Sequence, residues 1–228
     1  MPYGYNGRIL HADLTSRRLT VEEPTEAFYR KYLGGQGIGM YYLLRENPAG
    51  VDPLSPDSAM AITLSVVTGA PVSGQSRVMV NAKSPLTGTI GDAQAGGFWP
   101  AEAKAAGFDA IIVKGKAEKP VYLRLHDGEA ELRDAAHLWG RVTADVDAAI
   151  REELGDPKIQ VMQIGPAGEK LALYACIINM ANRANGRTGM GAVMGSKNLK
   201  AIAVRGKKKP PVADRKALSE LAKWGAQN

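Results

Sequence analysis

Apolar and polar residues alternate along Arg8–Leu14 and again along Arg18–Glu23, with Thr15-Ser16-Arg17 between them. Alternation of period two turns one face of a strand to a core and the other to water, so the pair predicts an antiparallel hairpin. The same design returns at Val121–Leu125 and Glu129–Arg133, around His126-Asp127-Gly128. A helical stretch follows each hairpin. One starts near Thr25 and runs toward Tyr42, broken by Gly34-Gly35-Gln36-Gly37; the other spans about Thr143 to Leu154. Each leads to an apolar strand that ends in glycine, Ala59–Val67 before Gly69 and Ile159–Ile164 before Gly165, and then to a second strand, Arg77–Lys83 or Leu171–Asn179. A glycine-dense loop comes next in both halves. Each half closes on nearly the same letters, Ala110-Ile111-Ile112-Val113-Lys114-Gly115-Lys116 and Ala201-Ile202-Ala203-Val204-Arg205-Gly206-Lys207.

The shared element order and shared ending predict an internal duplication, with repeats over about 5–118 and 119–208 related by a pseudo-twofold axis. Endings this short also recur by chance in strand-rich chains. The duplication therefore requires the two closing strands to hold corresponding sheet positions. Strands joined by hairpins predict an α+β fold with mainly antiparallel sheets rather than a doubly wound parallel one. Residues 1–208 read as one domain. From 209 to 228 a Pro-rich polar stretch feeds a helix beginning at Asp214, which has no capping residue after it and reads as the start of a following helical domain.

With 228 residues and 45% hydrophobic content, the chain can bury a sizeable core. No stretch approaches the ~20 apolar residues of a membrane helix, and the N-terminus lacks a signal-peptide pattern, so a cytoplasmic protein without membrane contact is expected. The single cysteine, Cys176 in the apolar run Leu171–Asn179, excludes an internal disulfide or a multi-cysteine metal site made by this chain alone. It reads as a small buried hydrophobe. His11, His126 and His137 have no ligand spacing and read as surface or structural residues; Trp99 and Trp139 read as core or interface anchors. No iron, zinc or tungsten site can be closed by such a set. The net charge is +6, yet the basic residues mostly alternate with acids, and the run Lys207-Lys208-Lys209 leads into Pro210-Pro211 as a solvated strand exit. Nucleic acid is not an expected partner. A phosphorylated small ligand suits the excess charge better.

Two loops carry the candidate chemistry. The first runs from Ser84-Pro85-Leu86-Thr87-Gly88 to Gly91-Asp92-Ala93-Gln94-Ala95-Gly96-Gly97, the second from Asn182 to Asn198 with Arg183, Gly186, Arg187, Gly189, Gly191 and Gly195. Such glycine density lets backbone approach a ligand, and arginine forks suit phosphate oxygens. Tight turns in a glycine-rich sheet protein would use the same residues. Gly189-x-Gly191-x-x-x-Gly195 is no dinucleotide fingerprint, because the strand at Ala201 leaves no room for a crossover helix, and Gly195-Ser196-Lys197 has the wrong order for a phosphate loop.

Six blocks together carry a more specific signal: Gly34-Gly35-x-Gly37, Lys83-Ser84-Pro85-Leu86-Thr87-Gly88, Gly96-Gly97-Phe98, Ala106-Gly107-Phe108-Asp109-Ala110-Ile111, Ile164-Gly165-Pro166-Ala167-Gly168-Glu169, and Gly186-Arg187-x-Gly189 through Ala201. In their order and extent they resemble the N-terminal domain of the tungsten-containing aldehyde ferredoxin oxidoreductase family. That resemblance implies a domain forming the base for a tungsten bis-pterin cofactor whose phosphates are bridged by magnesium. It implies that Arg77, Arg183 and Arg187 hold pterin phosphates, that Gly96 and Gly186 give close backbone contact, and that the backbone carbonyls of Gln94 and Ala184 bind magnesium. The family commonly has asparagine at Gln94, a change that a main-chain ligand tolerates. Further implications are an aldehyde substrate, ferredoxin as electron acceptor, a homo-oligomeric enzyme, and a 4Fe-4S cluster held by remaining domains rather than by this chain. No catalytic residue is assigned here, and the domain is expected to be inactive alone. The tungsten subunit of an aromatic-acyl-CoA reductase resembles the same blocks, with Gly96-Gly97-Phe98-Trp99 leaving that reading open. A non-catalytic assembly or binding module is the third reading.

Overall fold

The computed structural model describes residues 3–228 and contains two six-stranded sheets. In the first half the elements are β1 (Ile9–Asp13), β2 (Arg18–Glu22), α1 (Glu26–Tyr32), α2 (Gln36–Glu46), β3 (Met60–Leu64), β4 (Val78–Lys83), β5 (Ile90–Ala95), α3 (Trp99–Ala105) and β6 (Ala110–Lys114). In the second they are β7 (Val121–His126), β8 (Glu129–Asp134), α4 (Thr143–Leu154), β9 (Gln160–Gln163), α5 (Pro166–Glu169), β10 (Ile177–Asn179), β11 (Arg183–Asn185), α6 (Met190–Ser196) and β12 (Leu199–Arg205), after which comes α7 (Arg215–Gln227).

Both hairpins form as the alternation predicts. Asp127 and Gly128 take φ of 46° and 90°, the left-handed pair that a tight two-residue turn requires. Thr25 caps α1 by accepting from the Phe28 N–H, and the glycine break separates α1 from α2. The sheets run β2-β1-β6-β3-β4-β5 and β8-β7-β12-β9-β10-β11. Strand order and direction correspond throughout: β6 pairs parallel with β1 and β12 parallel with β7, while every other neighbour is antiparallel. The closing strands thus hold corresponding central positions, and each sheet is mixed at that one pair.

Four layers result. The inner faces of the sheets share one core, including Leu10, Ile62, Val78 and Ile111 from the first and Leu123, Met162, Ile177 and Ile202 from the second. Trp99, Ala103 and Phe108 around α3 and Met190, Val193 and Met194 of α6 fill the space between them. The buried Trp99 donates its Nε1–H to Ile202 O at 2.9 Å, so the helix after the first sheet's edge strand is anchored in the second sheet. Outside, α1 and α2 cover one sheet through Tyr29, Ile38 and Tyr42, and α4 covers the other through Val146 and Ile150.

Three expectations change. Leu171–Asn179 is a strand only over Ile177–Asn179, since turns, with Leu171 at φ 57°, occupy the preceding residues. The glycine-dense loops contain strands β5 and β11, and a seven-residue helix, α6, fits where a helix was excluded, because Gly191 and Gly195 let it pack within van der Waals reach of backbone. Cys176 is half-buried rather than enclosed. At the C-terminal end α7 is capped by Asp214 and leaves Leu221 and Trp224 exposed.

Candidate functional site

The two glycine loops, far apart in sequence, meet along a seam between the edge strands β5 and β11. Asn185 donates its Nδ2–H to Ala93 O at 2.8 Å, and Ser84 donates its hydroxyl to Thr188 O at 2.8 Å. Register places the candidate residues on corresponding rungs. From Ala110 in β6 the ladder passes through Thr63 and Met79 to Gln94; from Ala201 in β12 it passes through Gln163 and Ile178 to Ala184. Two residues further on lie Gly96 and Gly186. Arg77 immediately precedes Val78, and Gly96 immediately follows Ala95, the register partner of Val78.

The carbonyl of Gln94 has a definite direction. Ser84 N–H donates to Thr89 O at 2.8 Å, which fixes the phase of the β4–β5 ladder. Alternation of hydrogen-bonded pairs then turns the Gln94 N–H and C=O away from β4, toward the seam. Its side chain is engaged elsewhere: Nε2 donates to Asp92 Oδ2 at 3.0 Å, and Asn81 and Gln36 donate to the same carboxylate. Gln94 therefore presents its main-chain carbonyl, together with its N–H, to the seam.

Glycine positions separate into two kinds. A Cβ at Gly189 would meet Leu173 O at 1.9 Å, at Gly191 Cys176 O at 2.5 Å, and at Gly195 Gly168 O at 2.0 Å, so these are glycine because the protein's own backbone packs there. At Gly96 and Gly186 a Cβ would meet only ordinary contacts, Ser76 O at 3.5 Å and Ala184 Cβ with Cys176 Sγ at 3.7 Å. Packing does not demand glycine at those two, whose open faces line the seam.

Arg77, Arg183 and Arg187 are exposed, and none has a carboxylate within salt-bridge distance, in contrast to Arg124, Arg151 and Arg205. Unpaired guanidinium groups beside open glycines and outward carbonyls make a face that can accept phosphate oxygens and, through carbonyls, a hard cation. The acids of the quoted motifs do other work. Asp109 accepts from Gly7 N–H, the Tyr29 hydroxyl and Lys104 Nζ, the last at 2.7 Å with both partners buried. Glu169 accepts from Gly140 N–H and pairs with the buried Lys200. Burial pushes both lysines below the usual ammonium range, opposed by the facing carboxylates. His11 pairs with Glu22 and His137 with Glu153, away from the seam. Among the described residues no group of three His, Cys, Asp or Glu comes together as a metal site, and no helix is long and apolar enough to cross a membrane.

Ser76, Gly97 and Asn179 also belong to the seam, and sequence reading did not single out their roles. Ser76 donates its hydroxyl to Gly97 O at 2.5 Å, and Asn179 lies buried beneath Gly97. Only the pairing of β10 with β11 brings Asn179 there, so no local signal marks it.

Known proteins resemble this chain over nearly its whole length. The family model described as aldehyde ferredoxin oxidoreductase, N-terminal domain, matches residues 9–206. Tungsten-containing aldehyde ferredoxin oxidoreductases of Pyrococcus abyssi and Pyrococcus furiosus are 47% and 48% identical over 219 and 213 residues, 96% and 93% of this chain. The chain spans only 36% and 35% of their lengths. Among solved structures, the active site complex BamBC of benzoyl coenzyme A reductase with 1,5 dienoyl-CoA superposes with a TM-score of 0.94 at 36% identity, over 98% of this chain and 34% of that one.

Proposed function

This chain belongs to the aldehyde ferredoxin oxidoreductase family as its N-terminal domain, and from that premise we propose that it is the platform on which a tungsten bis-pterin cofactor rests. The observation that carries the proposal is the convergence of three unpaired arginines with two open glycines on one seam. Arg77, Arg183 and Arg187 would hold the pterin phosphates, the backbone at Gly96 and Gly186 would leave room for the pterins, and the carbonyls of Gln94 and Ala184 would hold magnesium. The last pair suits such a role because it stands on corresponding rungs of the two sheets.

When bound, the cofactor supplies two-electron oxidation of an aldehyde to a carboxylic acid, with water as oxygen source. This chain's share is binding and orientation: it fixes the phosphates and keeps the cofactor's base dry against backbone. A chain with one cysteine cannot ligate a 4Fe-4S cluster, so that cluster and the route to ferredoxin fall to the enzyme's remaining domains. The complete enzyme is a cytoplasmic homo-oligomer in this reading. The TM-score of 0.94 to a benzoyl-CoA reductase subunit complex favours an acyl-CoA reductase as the second reading, whereas the higher identity to the aldehyde enzymes favours the first.

The test is cofactor loading in the full-length enzyme. Arg183→Ala removes charge-assisted hydrogen bonds of about 1–3 kcal/mol in total, so tungsten and pterin should fall together while the fold survives. Arg183→Lys should restore loading only in part, since an ammonium cannot reproduce a two-toothed grip. Full occupancy after dialysis against a magnesium chelator, with Arg77→Ala and Arg187→Ala equally unaffected, would leave the seam a set of structural turns and the chain an assembly module.

A further inference from the structure

The corresponding rungs of the two sheets differ in polarity at two buried positions. At the inner face of the first sheet, Val80 and Ala95 stand where the second sheet has Asn179 and Asn185. All four are buried. A fold that packs apolar side chains at these rungs in one half therefore has no need of amides in the other. Asn185 uses its Nδ2 on Ala93 O, but its Oδ1 has no partner, and neither Nδ2 nor Oδ1 of Asn179 has one. Buried amide atoms left unpaired are unfavourable and uncommon, and retained ones mark strain or function.

The surroundings of Asn179 show which function. Its register partner across β10–β11 is Arg183. From the other half of the molecule comes Gly97, at φ 101°, where a Cβ would stand 2.6 Å from Asn179 Oδ1 and 3.2 Å from Arg183 Cγ. The turn carrying Gly97 is clamped from both sides: Ser76 donates to Gly97 O, and Phe98 N–H donates to Met180 Sδ at 3.0 Å. Asn179 is thus a buried polar support between the Gly96–Gly97 turn of one half and the stem of Arg183 in the other.

We propose that Asn179 is a positioning residue of the platform, whose amide acquires its hydrogen bonds only when a phosphate-bearing ligand engages Arg183 and the Gly96–Gly97 turn. It touches no ligand itself; it sets the spacing between the arginine and the turn. The idea rests on the platform reading above, extended to a residue outside the phosphate-binding set.

Asn179→Leu, close in shape, separates this role from a purely structural one. Removing unpaired buried amide atoms should raise the melting temperature of the ligand-free chain, by roughly 2–4 °C for a protein of this size. Affinity for the probe, inorganic pyrophosphate with magnesium measured by calorimetry, should fall about tenfold. A merely structural residue would move both quantities in the same direction. Wild-type binding with equal binding by Asn179→Leu would overturn the role of Asn179 while leaving the platform standing. Should the Leu variant fail to fold, Asn179→Val, which copies the first half's Val80, carries the same expectations. Failure of both variants to fold would show the amide to be a structural requirement and overturn the proposal. No pyrophosphate binding by the wild-type chain would overturn the platform itself, and this inference with it.

Discussion

Lys197 is a buried ammonium without a carboxylate in contact. Its Nζ donates to Ser58 O at 2.5 Å and Gly115 O at 3.5 Å, tying the segment after α6 to the first half. Burial, and then the nearby charge of Lys114, push its pKa down to about 8, with Asp57 opposing. A lysine depressed in the fold and ordinary when unfolded binds a proton in the unfolded state over the interval between the two values. Stability from this group therefore rises as pH climbs from about 8 toward 10.5, and below pH 8 the folded protein carries the full penalty of about 3 kcal/mol. The stability of the wild type relative to Lys197→Met, followed by urea unfolding, should rise across that interval. A constant difference would mean that Lys197 keeps its ordinary pKa. Lys104 and Lys200 differ in kind, because each faces a carboxylate that opposes the effect of burial.

At the scale of elements, the second glycine loop is two structures with different demands. Helix α6 is buried along its whole length and depends on Gly191 and Gly195 for its approach to the backbone at Ala175, Cys176 and Gly168. Gly195→Ala must displace that backbone, and overpacking of this kind costs on the order of 1–3 kcal/mol or more. Gly186→Ala has room and should lie within about 0.5 kcal/mol of the wild type in ligand-free stability, yet reduce cofactor loading in the full-length enzyme. Denaturant midpoints for the two variants, with tungsten content for the second, check the division. An unstable Gly186→Ala, or one that loads fully, would remove the ligand-facing role. Glycine spacing alone could not make this distinction, because residue type records that a side chain is excluded and not what excludes it. The same ambiguity concealed β5, β11 and α6: glycine breaks the periodicity on which strands and helices are recognised.

Over the whole molecule, one core joins both sheets, and each half lends a helix to the space between them. The described domain should therefore unfold in a single transition, with coincident fluorescence and circular dichroism curves. Two separated transitions would show that the halves are independent. The sequence by itself determined the two hairpins, helices α1, α2 and α4, the apolar strands and the matched ending of each half, because periodicity and turn residues act over a few positions and need no distant partner. It also carried the family blocks, with Arg187 inside the last of them and Arg77 and Arg183 nearby. Tertiary structure alone decided that Gln94 and Ala184 stand on corresponding rungs of the two sheets, and that Asn179 lies under a glycine more than eighty positions earlier. Those relations depend on which strands pair, and at what register, and pairing is settled by the burial of whole faces rather than by the letters along any one of them.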